Sequence, residues 1–201
     1  MEQLNNLPHF GKRTVLQLGN QLGLNDNTVN TYISRFLKRK DILALKRGLY
    51  LSAEYFAKNK NDISYSFYLA NVLRTPSYVS SWTALQYYNL TTEAIHPIMS
   101  ITPKVTRTYE VPKIGTFSYQ SIKKELFSDY SLVKGKYDFF IASPSKALFD
   151  LLYFRTRQFQ GVRLEDAKKM VGELRIDIDE MNEEQRNMFY EKIKAYLHES
   201  R

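Results

Sequence analysis

Between Asn25 and Lys38 the chain reads NDNTVNTYISRFLK, and its polar residues have the chemistry of base recognition. Asn amides pair with adenine edges, Arg with guanine, and Ser and Thr adapt to either. At about 100° per residue, Asn27, Thr31, Ser34, Arg35 and Lys38 share one helix face, with Thr28 and Asn30 at its margins. A merely solvated face favours Glu and Lys for helix propensity and solubility. This one has no carboxylate after Asp26. Asn27, Thr28, Asn30, Thr31, Ser34 and Arg35 are therefore the expected base readers. Lys12, Arg13, Lys38, Arg39, Lys46 and Arg47 are expected to hold phosphates, contacts that supply affinity but little sequence information.

Such a face needs a helix pair to position it. In TVLQLGNQLGLNDNTVNTYISRFLK (14–38), Gly19 lets two helices cross closely and Gly23 supplies the turn. Leu18, Leu22, Leu24, Val29 and Tyr32 or Ile33 are expected to lock the pair. Asn25 is the expected N-cap, with Asp26 at the positive helix end. Val29, Ile33, Phe36 and Leu37 form the apolar stripe. Beyond it, Ile42–Leu45 and Leu49–Leu51 read as strands joined by Lys46-Arg47-Gly48, a wing whose basic tip can touch the DNA backbone or minor groove. The expectation is a winged helix-turn-helix that binds double-stranded DNA. A scaffold or partner-binding winged helix with a plain basic hairpin is the competing reading.

The net charge of +8 supports the first reading once it is divided. Residues 1–60 hold ten Lys/Arg against four Asp/Glu (+6), residues 61–160 eleven against seven (+4), and residues 161–201 eight against ten (−2). The positive charge is thus densest around the helix pair, as a footprint for phosphate would be. Lys104, Arg107, Lys113, Lys123 and Lys124, on or beside expected strands, form either a further DNA contact or a solvated basic surface.

No catalytic or cofactor motif is evident, and the expectation is no enzyme, no cofactor and no metal. The absence of cysteine excludes disulfides, zinc ribbons and thiol catalysis and fits a reducing cytosol. His9, His96 and His198 fall one in each third of the chain without ligand spacing and read as surface or packing residues. Asp166-Ala167-Lys168 has the spacing of half a nuclease site but lies in LEDAKKMVGEL, an amphipathic helix pattern. Trp82 and the aromatic run in ISYSFYLANVL could stack on bases, yet at helical spacing they read as core. No apolar run reaches the roughly 18–20 residues of a membrane span, and MEQLNNLPHF lacks signal-peptide regions. A cytoplasmic protein is expected.

The expected fold class is α+β, a winged helix-turn-helix over 1–58 followed by a mixed α/β domain over 59–201. SAEYFAKNKND (52–62) reads as the linker. Residues 63–73 read as a helix stopped by Arg74-Thr75-Pro76, Tyr78-Val79-Ser80 as a short strand, and 80–90 as a serine-capped helix. PIMSITPKV, TRTYEV and GTFSYQSI read as strands, and SLVKGKYDFFIA as a hairpin about Lys134-Gly135-Lys136. SPSKALFDLLYF (143–154) starts a helix with Ser143 as N-cap and Pro144 at N1, with Ala147, Leu148, Leu151 and Leu152 apolar and Asp150 capping or pairing. Helices near 164–174 and 180–199 follow.

Several of these segments, in order, resemble the AbiEi family, the antitoxin and repressor half of AbiE abortive-infection operons. The resembling segments are Arg47-Gly48-Leu49-Tyr50, YVSSWTALQYYNL (78–90), SITPKVTRTYEV (100–111), FSYQSIKKELF (117–127) and IASPSKALFDLLY (141–153). Ser145 stands where the family usually has glutamate, a residue that would complement the helix dipole and could close a capping box. The resemblance implies a winged helix that binds inverted repeats in its own promoter. It also implies a C-terminal antitoxin body of a type IV system, acting against a nucleotidyltransferase-like toxin without a stable complex. The rivals are a regulator of other genes controlled by a ligand or partner in the C-terminal domain, and a nucleic-acid enzyme that uses the winged helix for targeting.

Overall fold

The computed structural model describes residues 2–93 and 97–199 and mixes helices with two sheets. The chain divides into two compact units, Met1–Ser66 with Val111–Ile114, and Phe67–Glu110 with Gly115–Arg201. No helix among the described residues is long and apolar enough to cross a membrane.

The first unit runs α1 (Glu2–Asn5), β1 (Phe10–Gly11), α2 (Lys12–Gln21), α3 (Asp26–Arg39), β2 (Ile42–Lys46), β3 (Leu49–Ser52) and α4 (Ala53–Asn59). Its core gathers Leu4, Phe10, Val15, Val29, Ile33, Ile42 and Tyr50, with Leu18, Leu24, Phe36 and Leu37 packed around them. Full burial of a side chain such as Ile33 contributes about 1.5–3 kcal/mol. Strand β1 pairs with β3 through Phe10 opposite Tyr50, making the hairpin a three-stranded sheet. Two residues are too few to show a period, so the sequence carries no signal for this strand.

The expected linker at 52–62 is instead mostly helix. Ser52 caps α4, its hydroxyl accepting from the Tyr55 amide, while Glu54 and Lys58 pair at 2.6 Å one turn apart. The rings of Tyr55 and Phe56 lie against Tyr65, centroids 5.7 and 6.5 Å away. Glu54 and Lys58 face out while the two aromatics and Asn59 face in, so polarity alone misleads there.

Helix α5 (Ile63–Leu73) spans the division and ends before Arg74, as the proline two residues later demands. The second unit continues with β4 (Tyr78–Val79), α6 (Ser81–Tyr87), β5 (Ile98–Thr102), β6 (Arg107–Val111), β7 (Gly115–Ser121), β8 (Tyr130–Val133) and β9 (Phe139–Ala142). It ends with α7 (Pro144–Arg155), α8 (Leu164–Glu173) and α9 (Glu183–Glu199). Its six-stranded sheet has the order β6-β7-β5-β4-β9-β8. The β4–β9 and β5–β7 pairs are parallel, and β4–β5 and β8–β9 antiparallel. Parallel neighbours leave the sheet at the same edge, so Ser80 after β4 comes beside Ser143 and α7 after β9. Helix α6 packs on α7, and α7 on α9.

Ser143 accepts from the Lys146 amide at 3.3 Å with Pro144 behind it, as expected. Ser80 occupies the N-cap position of α6 but makes no cap bond; its hydroxyl donates to Asp150 at 2.7 Å. Ser145 sits at N2, so a capping box at this helix would fall to Lys146 rather than to residue 145. Ser145 is fully buried, its amide donating to Gln185 of α9.

Candidate nucleic-acid interface

Helices α2 and α3 meet where Gly19 lies against Val29. A Cβ built on Gly19 would stand 2.2 Å from Val29 Cγ2, so the approach requires glycine. The turn closes through the amides of Leu22 and Leu24 on the Gly19 carbonyl and of Gly23 on Asn20, each at 3.0 Å. Gly23 has φ +74°, a conformation that costs other residues. Asn25 then caps α3, its Oδ1 accepting from the Thr28 amide at 2.9 Å and the Thr28 hydroxyl at 3.1 Å.

The wheel of α3 is as expected. Val29 and Ile33 are buried, Phe36 and Leu37 half-buried, and Asn27, Thr31, Ser34, Arg35 and Lys38 exposed, with Thr28 and Asn30 half-buried at the margins. Two members of the expected lock are corrected. Leu22, at the end of α2, is 77% exposed, and Tyr32 is 40% exposed, so Ile33 fills the interface. Tyr32 lies one residue, about 100°, off the axis through Ile33. It packs instead along the surface, 6.1 Å from the Phe36 ring and 6.0 Å from the Arg35 guanidinium.

The face has a definite hydrogen-bonding character. The Thr31 hydroxyl donates to the Asn27 carbonyl and the Ser34 hydroxyl to the Asn30 carbonyl, both at 3.0 Å. With their protons engaged inside the helix, both oxygens turn acceptor lone pairs outward, suited to the amino groups of adenine and cytosine. Arg35 adds donors suited to guanine. The Asn27 amide, exposed on the first turn, can both donate and accept.

The cations divide. Lys12 and Arg13 are exposed at the start of α2, and the Lys12 amide donates to the Gly48 carbonyl at 2.8 Å, which joins that helix end to the hairpin tip. Lys12, Arg13 and Arg47 are thus gathered at one end of the unit with Lys46, the last residue of β2. A register shift between Ala44 and Lys46 carries β2 one residue further than expected and leaves Arg47-Gly48 as the turn, Gly48 at φ +79°. Lys38 is exposed at the other end of α3, and Arg39 pairs with Asp41 at 3.0 Å. That pair offsets part of the charge expected to meet phosphate.

In the remaining set, all exposed, Lys104 donates to the Thr75 carbonyl at 2.6 Å and Arg107 lies 5.0 Å from the Tyr109 ring. Lys113 lies in the β6–β7 connection, and Lys123 and Lys124 open a short 3-10 turn. Asp166 accepts from the Arg163 amide at 2.9 Å and so caps its own helix. His9 is half-buried, and burial lowers its pKa; His96 lies outside the described residues, as does the side chain of His198. Among the described residues no three His, Cys, Asp or Glu stand together as metal ligands would.

Asp150 pairs, as one of the two expected alternatives had it, but sequence reasoning missed the buried polar cluster built around it in the second unit. Lys146 pairs with Asp150 at 2.5 Å, the Tyr78 and Ser80 hydroxyls donate to the other Asp150 oxygen at 3.1 and 2.7 Å, and Lys192 pairs with nearby Asp129. Burial pushes the Asp150 carboxyl up and the Lys146 amine down, and burial with the neighbouring Asp150 raises the Tyr78 hydroxyl. Lys146 and Asp150 are 1% and 0% exposed, so no solute reaches the pair and its role is structural. The available signal was the i, i+4 spacing of opposite charges inside an apolar helix.

Against this geometry, the chain matches no protein-family model and no curated protein.

Proposed function

We propose that the first unit is a winged helix-turn-helix that binds double-stranded DNA, with α3 as its recognition helix and the β2–β3 hairpin as its wing. The observation that carries this reading is the outward face of α3. It is polar without a carboxylate after Asp26, carries Arg35 and Lys38, and stands opposite a stripe buried against α2. Asn27, Thr31, Ser34 and Arg35 read bases, flanked by Thr28 and Asn30. Lys12, Arg13, Lys38, Lys46 and Arg47 hold phosphates, and Arg39 contributes after releasing Asp41. The protein acts in the cytoplasm as a repressor of its own promoter.

For the second unit we propose the antitoxin body of an AbiEi-type system, with a nucleotidyltransferase-like toxin as functional partner. This reading rests on the resembling segments in family order, including IASPSKALFDLLY. The buried cluster in that block gives it a reason to be kept within such a fold, since the Lys146–Asp150 pair needs Tyr78 and Ser80 beside it.

The test is binding of the full chain to its own upstream DNA and to a scrambled duplex across a salt series. Preference for the upstream duplex, with affinity falling as salt rises, supports the repressor reading. Equal binding to both duplexes refutes sequence-specific recognition. Rescue of growth when the chain is co-expressed with a nucleotidyltransferase encoded beside it tests the antitoxin reading; unrelieved toxicity removes it.

A further inference from the structure

Each serine and threonine of α3 commits its hydroxyl proton inside the helix. Thr28 donates to Asn25 Oδ1 at 3.1 Å, Thr31 to the Asn27 carbonyl and Ser34 to the Asn30 carbonyl, both at 3.0 Å. A hydroxyl has one proton, so one that is committed leaves only lone pairs to offer. Thr31 and Ser34 are exposed on one face. They stand three residues apart, about 4.5 Å along the helix axis at 1.5 Å per residue. That is close to the rise of roughly 3.4 Å per base pair, so the two oxygens match amino groups on neighbouring pairs. No carboxylate follows Asp26 in α3. A glutamate would accept from the same amino groups but repel the flanking phosphates. The hydroxyls accept without carrying charge.

An acceptor of this kind is sensitive to one modification of DNA. Adenine N6 and cytosine N4 each carry two hydrogens, of which base pairing takes one and leaves the other as a donor in the major groove. A methyl on that nitrogen, placed so that the pair survives, replaces the second hydrogen. The oxygen then faces an apolar group and loses both its partner and its water. A methyl on cytosine C5 leaves the amino donor in place.

We propose that methylation of base amino groups regulates DNA binding by α3. The helix accepts DNA whose adenine N6 or cytosine N4 groups are unmodified and rejects it when they are methylated, with Thr31 and Ser34 sensing the difference. The inference rests on the DNA-binding reading and names a regulation of that same site.

The test measures binding of the full chain to its upstream duplex by fluorescence anisotropy at fixed salt, with bases replaced one at a time. N6-methyladenine or N4-methylcytosine at one or more positions should weaken binding about tenfold. At those positions 7-deazaadenine or 5-methylcytosine, which keep the amino donor, should change it by less than about twofold. Thr31→Val, which keeps the side chain's shape, and Ser34→Ala should each bind the unmodified duplex more weakly and lose the penalty at one position. An undiminished penalty in the double variant would assign the effect to Asn27 and overturn the proposal. Sensitivity to 7-deazaadenine without sensitivity to methylation would also overturn it, because the hydroxyls would then be donating. Preference for the upstream over a scrambled duplex with indifference to methylation removes this inference alone. Absence of that preference removes the recognition reading, and the inference with it.

Discussion

Helices α3 and α7 begin alike and use their polar residues in opposite ways. Each opens on a side-chain cap, Asn25 for one and Ser143 for the other. In α3 the residues with hydrogen-bonding side chains lie at or near the surface, and several make only local bonds. In α7, Ser145, Lys146 and Asp150 are buried, and Asp150 is held by Lys146 one turn earlier in the helix and by Tyr78 and Ser80 from the β4–α6 segment. A surface polar group can exchange water for a new partner at little cost. A buried one cannot give up its partner without leaving a charge or dipole stranded. The first arrangement suits the proposed recognition and the second serves architecture, so substitutions in the two helices should separate binding from stability.

The largest effect is expected from Asp150→Ala. It strands the buried Lys146 ammonium and should destabilise by about 3–5 kcal/mol, as broken buried pairs do. Urea denaturation checks it, and a Lys146→Met/Asp150→Leu double variant should recover most of the loss. The pH dependence has a sign. Burial already lowers Lys146, and Asp150 is the neighbour that most opposes it, with Asp129 adding a smaller upward effect. Without Asp150 the folded amine binds fewer protons than the unfolded one, so stability of the single variant should rise with pH up to the unfolded lysine value. A flat profile would show that Lys146 finds another partner.

Gly19→Ala tests the architecture beneath α3. Alanine gains about 1 kcal/mol in helix propensity over glycine. Val29, however, is β-branched and stiff in a helix, so it cannot swing away from a Cβ at 2.2 Å. The clash should win, with a net loss of about 1–3 kcal/mol in thermal unfolding. Combined with Val29→Ala, the variant should lose less than the two single effects added. A stabilised Gly19→Ala would mean that the helices can separate at no cost.

On the outward face, Arg35→Ala or Asn27→Ala should leave the unfolding curve unchanged. Each should cost about 1–3 kcal/mol on the preferred duplex and relax its base preference. Lys46→Ala or Arg47→Ala should instead weaken all duplexes alike and reduce the salt slope by about one. Four variants that behave identically would erase the division between base readers and phosphate holders. The smallest effect should come from Asn25→Ala, which removes the α3 cap and should cost about 1 kcal/mol of stability, measured by denaturant titration.

Local patterns made much of the first unit legible. The spacing of Val29, Ile33, Phe36 and Leu37 gave the buried stripe, Asn25 the cap, and Gly19 and Gly23 the close approach and turn. Leu22 and Tyr32 were misplaced because apolar character says that a residue prefers burial, not that the turn geometry provides it. The helix at 53–59 was hidden because its polar residues, Glu54, Lys58 and the buried Asn59, have the composition of a linker. In the second unit the strands and the Ser143-Pro144 helix start were readable, while the strand order was not.

What the sequence alone determined is therefore what neighbours along the chain decide: where helices start, which face of α3 is apolar, where a turn needs glycine. What only the tertiary structure decided depends on residues far apart in number. The parallel pairing of β4 with β9 brings Ser80 and Tyr78 to Asp150, which takes Ser80 from the capping role that its local position suggests. The same folding leaves the Ser77 hydroxyl buried without a hydrogen-bond partner among the described residues. Hydrogen bonds form wherever donors and acceptors meet in space, and a one-dimensional pattern records which groups exist but not which will meet.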